Sequence, residues 1–412
     1  MYLMDGYAGR RPSLVDSRYA WLRLGVALVL GTVGSVGMWS YVVALPAVQM
    51  HFAVTRAEAS VPYTMAMVGF AVGNLILGRL ADRFGILAPI LLSIVSLGLG
   101  YVGAGFAPTM WLLCAAHILI GFGSAASFGP LIADLSHWFE KRRGIAIAIA
   151  ASGNYVAGAI WPPVLQHFIA SDGWRATHIG VGIVCVAAML PLSLVFRRRL
   201  DVHGAGSLQA RSFVPPDIGV SQNTLFVLLC IAGIACCVAM AMPQVHIVAY
   251  CGDLGYGVAR GAEMLSLMLA FGIVSRIGSG FIADRFGGVV TLLIGSVMQG
   301  LALFLYFLFD GLTSLYIISI LFGLFQGGIV PSYAVIIREY FPPQEAGARV
   351  GTLIMATVFG MALGGWMSGW IFDLTGSYRA AFLNGLAWNL LNLSIAFWLL
   401  RAGRPGARTA AA

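Results

Sequence analysis

Arg276 is the residue whose type and place most invite chemistry. It stands in the apolar stretch 260–283, eight residues before Asp284. At 1.5 Å of rise per helical residue that is a depth of about 12 Å, close to the middle of a hydrocarbon core about 30 Å thick. An arginine at the centre of a membrane helix costs at least ~2.5–3.5 kcal/mol on insertion scales, so something must offset it. A bound carboxylate does so through the two-pronged guanidinium fork; a permanent interhelical salt bridge is the other solution. No Asp or Glu falls at a comparable depth, which favours the bound anion. A single buried cation suits a monoanion, because a dianion would carry a second charge into low dielectric without a partner.

Other polar residues stand in apolar surroundings. His246 and Asp253 lie seven residues apart near the end of the seventh apolar stretch. They share a face if the helix persists through Pro243 and Gly252. Either is a candidate for a coupled proton, and histidine titrates nearest neutrality; a packed histidine and a turn-capping aspartate are the plainer alternatives. Glu263 ranks below them, because it falls near a helix end. Asn154 and Tyr155 in the fifth stretch and Gln326 in the tenth can hydrogen-bond a carboxylate or hydroxyl, and Trp39 in the first can pack against an apolar tail. The same residues serve equally well as interhelical glue worth ~0.6–2 kcal/mol per bond. Asp82-Arg83 and Asp284-Arg285 sit at helix ends, where a carboxylate that pairs with Arg or with a helix N-terminus can act as a gate.

These residues need helices to hold them, and the composition supplies helices of one kind. Of 412 residues, 59% are hydrophobic and only 10% charged, against about 25% charged in soluble domains. The mean hydropathy is +0.89. Such a chain is neither a soluble enzyme, nor disordered, nor a nucleic-acid binder. Twelve apolar segments are long enough to span a bilayer, at 21–45, 61–81, 87–107, 109–133, 144–169, 176–196, 223–249, 260–283, 289–309, 313–337, 349–372 and 378–400. The polar stretch 197–222 divides them six and six. The expected organisation is therefore a bundle over 1–196, a linker over 197–222, and a second bundle with a short tail over 223–412. With the termini and linker placed in the cytoplasm, 19 of the 24 basic residues fall on that side and four on the other. This is the positive-inside pattern of a plasma-membrane protein, here expected in a bacterial inner membrane with both termini cytoplasmic.

The halves repeat. Gly78-Arg79-Leu80-Ala81-Asp82-Arg83-Phe84-Gly85 returns as Gly280-Phe281-Ile282-Ala283-Asp284-Arg285-Phe286-Gly287, and Gly173-Trp174-Arg175-Ala176 as Ser377-Tyr378-Arg379-Ala380. Parallel six-helix repeats place a binding site at their interface near the bilayer midplane. The six cysteines show no metal-ligand or redox spacing, and there is no Walker loop, H-E-x-x-H or G-x-S-x-G. No cofactor or metal is expected.

Twelve helices and the doubled Asp-Arg-Phe-Gly loop resemble the major facilitator superfamily. A narrower resemblance rests on Trp138-Phe139-Glu140-Lys141-Arg142-Arg143-Gly144, Ser152-Gly153, Pro162-Pro163, Gly173-Trp174-Arg175, His246, Asp253, Gly255 and Arg276. These look like the monocarboxylate transporters and their oxalate:formate antiporter relatives. The resemblance implies a carboxylate ligand at Arg276, and transport with a proton or in exchange for another anion. The chain departs from the pattern at Gly272, where some relatives carry Asp or Asn one turn before the arginine. It departs again in 351–371, which has no charge where dicarboxylate exchangers carry a second cation.

The expected protein is thus an all-α membrane transporter of twelve helices in two homologous bundles, monomeric, moving a small organic monoanion such as a 2-hydroxy acid by proton symport. Arg276, Asn154, Tyr155, Trp39 and Gln326 are the expected substrate ligands, Asp253 and His246 the proton carriers, and Asp82, Arg83, Asp284 and Arg285 the gate. Anion exchange, export of a drug-like compound, and a carboxylate receptor without transport are the alternatives.

Overall fold

A computed structural model describes residues 14–198 and 218–402. Most of the expected linker, and the basic residues Arg10, Arg11, Arg199, Arg211, Arg404 and Arg408, lie outside the described residues.

The described residues are almost wholly helical: α1 Arg18–Gly34, α2 Val36–Phe52, α3 Arg56–Phe84, α4 Leu87–Phe106, α5 Met110–Ala125, α6 Gly129–Leu135, α7 Arg143–Ser193, α8 Gln222–Asp253, α9 Val258–Leu308, α10 Leu312–Gln326, α11 Ile329–Tyr340, α12 Pro343–Thr375 and α13 Tyr378–Ala402. Among the described residues ten helical stretches are long and apolar enough to cross a membrane, with α1–α2, α5–α6 and α10–α11 each counting as one. Two of the ten are double. α7 and α9 have 51 residues each, about 76 Å if straight, more than twice a hydrocarbon core. Each turns back at a glycine, Gly173 (φ 83°, ψ 160°) and Gly287 (φ 80°, ψ 171°), backbone that a side chain would strain. The result is twelve passes.

The sequence repeat is also a backbone repeat. Gly85 ends α3 at φ 77°, ψ 167°, nearly the angles of Gly287 at the matching place. The broken passes differ from the expected uninterrupted spans: α1 gives way to α2 at Ser35, and α10 to α11 at Gly327-Gly328.

The face that carries Arg18, Ala402 and the ends Ser193 and Gln222 is called the terminal face, and the opposite one the distal face. Every residue of α8 from Ala235 to Cys251 is buried, as expected for a helix apolar on all sides and enclosed by others. Outward, Val95, Leu99, Ile183, Val297 and Leu390 are exposed, a belt suited to lipid. The cysteines are free, and all but the half-buried Cys230 are buried.

Two seams join the halves, α3 against α12 and α7 against α9. Close approach needs small residues. A Cβ at Gly369 would stand 2.8 Å from the Arg56 carbonyl oxygen, and one at Gly365 2.9 Å from the Tyr63 ring. Toward the terminal face the seams part. A Cβ at Gly78, Gly280 or Gly351 would meet nothing within 4 Å. The α3–α12 seam is thus tightly packed at its distal end and has room beside Gly78 and Gly351 at its terminal end.

Candidate functional site

Arg276 projects from the first arm of α9 across the seam to α7. It is half-buried. Its Nη1 donates to the Ala151 carbonyl at 3.2 Å, and its guanidinium carbon lies 4.6 Å from the centre of the Tyr155 ring. The Nε is buried without a partner. Among the described residues none of the ion pairs includes Arg276.

Gly272 explains how Tyr155 comes so near. A Cβ there would stand 2.4 Å from Tyr155 Cε1, so the ring occupies the space a side chain would fill. Ring and guanidinium are therefore stacked along one turn of α9, Gly272 below and Arg276 above. A cation over a desolvated ring gains ~2 kcal/mol, part of the cost of holding the arginine at this depth. The break between α10 and α11 supports the same turn. Gly327 N–H donates to Ser275 Oγ at 3.0 Å, and a Cβ at Gly327 would stand 2.8 Å from Arg276 N.

The other expected ligands gather around this contact in two pairs. Trp39 Nε1 donates to both the carbonyl and the side-chain oxygen of Asn154, each at 3.2 Å, beside Tyr155. Gln326, next to Gly327, accepts from Gln244 Nε2 at 2.7 Å and leaves its own Nε2 buried without a partner. The structure thus brings Arg276 and Tyr155 into contact and sets the other three in neighbouring pairs. Sequence reasoning missed Gln244, although a second glutamine in an apolar stretch was a visible signal.

His246 and Asp253 belong to a different place. α8 is continuous to Asp253 despite Pro243 and Gly252, so the shared face holds. It lies at the distal end of the α3–α12 seam, where both residues meet a network centred on Arg56. Arg56 Nη2 pairs with Asp253 at 3.1 Å, Nη1 donates to the Tyr378 hydroxyl at 2.6 Å, and the guanidinium carbon stands 4.8 Å from the Phe372 ring. The Arg56 and Ala57 amides donate to the Asp373 carboxylate at 2.9 and 2.7 Å, a cap on α3 supplied by the other half. His246 is fully buried, with Nδ1 3.1 Å from the Tyr378 hydroxyl and Nε2 2.7 Å from the Gly365 carbonyl. Sequence reading took Arg56 as one of four scattered distal charges; its partners are 197 and 322 residues away, which no local pattern reveals. Glu263 pairs with exposed Arg260 at 3.1 Å and accepts from Tyr316, near the start of α9.

Asp82, Arg83, Asp284 and Arg285 are exposed on the terminal face. Arg83 stands over Phe84 at 5.2 Å and Arg285 over Phe286 at 5.5 Å. Among the described residues none of the four makes an ion pair across the seam in this conformation.

Comparison with known proteins agrees with this architecture. Monocarboxylate transporter 13 of Bos taurus is 26% identical over 366 residues, covering 87% of this chain and 82% of the relative. Monocarboxylate transporter 11 of Homo sapiens is 24% identical, covering 89% and 80%. Among solved structures, a bacterial homolog of the human lysosomal transporter Spinster superposes with a TM-score of 0.72 at 15% identity, covering 94% of this chain and 98% of the other. The family model described as Major Facilitator Superfamily matches residues 27–314 and 279–412. The chain belongs to the Major Facilitator Superfamily: it is a multi-pass membrane transporter of the secondary class and not an enzyme.

Proposed function

We propose that the protein carries a small organic monoanion, a monocarboxylate such as a 2-hydroxy acid, through the site at Arg276 by alternating access. The observation that carries this reading is a half-buried arginine at the seam between the halves, without a carboxylate partner among the described residues, whose contacts are a carbonyl oxygen and an aromatic face. Both contacts are neutral, so the positive charge is left for a ligand to meet. Nη1 is engaged and Nε is left without a partner, so a side-on carboxylate would complete the Nε edge. Gln326 Nε2 adds a second unpartnered donor nearby. Asn154 and Trp39 wall the site from the other half, with the Trp39 ring available to an apolar tail.

The names of the relatives support the same class of substrate. The reading places the terminal face in the cytoplasm, on the strength of its basic residues. The site then opens inward in this conformation, and Asp82, Arg83, Asp284 and Arg285 close it in the other. Proton symport is the proposed coupling, with Asp253 or His246 at the distal face as its carrier.

The test is labelled uptake into proteoliposomes with lactate, pyruvate, acetate, oxalate and formate under an imposed proton gradient, with Arg276→Gln alongside. Gradient-driven uptake of a monocarboxylate that the variant lacks supports the reading. Flux only from preloaded vesicles makes the protein an exchanger. Equal flux in the variant removes Arg276 from the site.

A further inference from the structure

The distal network has a direction built into its hydrogen bonds. Arginine has only donors, so the Tyr378 oxygen accepts from Arg56 Nη1. The Gly365 carbonyl only accepts, so His246 Nε2 carries a hydrogen. The Tyr378 hydroxyl then donates its own proton to a bare His246 Nδ1. His246 is neutral while Arg56 is seated: a second proton on Nδ1 would point two cations at one buried phenol oxygen. On the other side of Arg56, Asp253 is the last residue of α8, where the negative end of the helix dipole disfavours a carboxylate. Arg56 offsets that disadvantage.

Water reaches the network from outside. A cavity of about 420 Å³ on the distal face is lined by Asp253, Tyr378, Tyr250, Phe372, Asp310 and Arg379. The Asp253 side chain is 37% exposed, whereas that of Arg56 is 7% exposed. The charged and titratable groups around Asp253 are Arg56 from α3, Tyr250 from its own helix, Tyr378 and Arg379 from α13, and Asp310 before α10. Asp310 is held by Arg379 at 3.0 Å. Asp373 on α12 is committed to the amides of α3. Asp253 is therefore the carboxylate that both faces the cavity and holds the buried cation.

We propose that Arg56, Asp253, Tyr378 and His246 form a proton-operated latch on the distal face, with Asp253 as the proton's point of arrival. A proton from the cavity goes onto an Asp253 carboxylate oxygen. Arg56 then loses its anion and leaves the seam, the Asp373 cap on α3 gives way, and the halves part distally. His246 acts as a positioning residue: in its neutral form it holds the Tyr378 oxygen toward Arg56. The proposal deepens the proton-symport reading, and uses its orientation of the faces, but the opening itself is measured without substrate.

The test uses the full chain in nanodiscs, with Met50→Cys and Thr313→Cys spin-labelled in a background whose native cysteines are replaced. Distances are read by pulsed electron paramagnetic resonance at pH 8 and under acid, at pH 4, where aspartates begin to take up protons. The wild type should gain a longer distal distance in acid. Asp253→Asn should show it at both pH values. Asp253→Glu and Asp310→Asn should respond as the wild type does. His246→Gln, which keeps one donor and one acceptor, should stay closed at pH 8 and still open in acid. A wild type without a pH response, an Asp253→Asn variant that still closes at pH 8, or a His246→Gln variant that loses the response overturns the latch. Carboxylate uptake without a pH-dependent opening leaves the transport reading standing. Opening without carboxylate flux leaves the latch standing and removes the substrate reading.

Discussion

Arg56 and Arg276 are the same residue at the same interface, and they differ in what the opposite half offers them. Arg56 meets a carboxylate, a phenol and an aromatic face, all from the other half. Arg276 meets a carbonyl oxygen and an aromatic face. Each leaves its Nε unpartnered, so an unsatisfied donor is not what separates them. The counter-ion is. A buried cation with its own carboxylate ties the two halves together; the cation at the seam without one is the one proposed to meet an anion. Arg23 marks a third case: it pairs with Asp134 at 2.8 Å inside one half, so it ties α1 to α6 and is indifferent to how the halves move.

The comparison breaks most sharply at Arg276. Truncating one partner of a buried charge contact costs ~2–5 kcal/mol, so Arg276→Gln should lower monocarboxylate uptake at least ~30-fold while leaving the protein folded by size-exclusion chromatography. Arg276→Lys, with charge but no fork, should fall between. Arg56→Gln should act on closure instead. It removes the buried cation and leaves Asp253 to the water of the distal cavity, and the expected readout is faster thiol labelling of a cysteine introduced on the distal face, with anion affinity in the open site kept.

Gly272 allows the two arginines to be made alike. Gly272→Asp would give Arg276 a fixed carboxylate one turn away, and Gly272→Asn the same bulk without charge. Both displace Tyr155, so the charge is read from the difference between them. At pH 8 the Asp variant should bind the anion roughly tenfold more weakly than the Asn variant, about 1.4 kcal/mol, and the gap should shrink as the new carboxyl is protonated. Equal affinity would mean that Arg276 does not meet the substrate's charge. The smallest effect is expected on the terminal face. Asp82→Asn and Asp284→Asn remove exposed groups and should change stability by no more than ~0.5 kcal/mol. A lower turnover number at unchanged melting temperature would assign them to closure of that face.

Much of this architecture is written in local sequence. The passes follow from apolar length, and the turn at Gly287 from its match to Gly85. Arg276 stood out because a charge in an apolar helix is costly wherever the helix goes. The breaks at Ser35 and Gly327-Gly328 were not read from the sequence, although Pro331 just after the glycine pair was a visible signal for the second. Nor was the partnership of Trp39 with Asn154, which joins residues 115 apart.

The amino-acid sequence by itself determined that the chain spans a membrane twelve times in two related halves, because hydrophobic length and repetition are local properties. It also singled out one arginine inside an apolar stretch. Only the tertiary structure decided which cation at the seam has a carboxylate partner and which has a carbonyl and an aromatic face. That choice depends on where Asp253, Asp373 and Tyr378 fall relative to Arg56, and on Gly272 leaving room for Tyr155 beneath Arg276. Electrostatic complement is a property of space, and these partners are hundreds of residues apart along the chain.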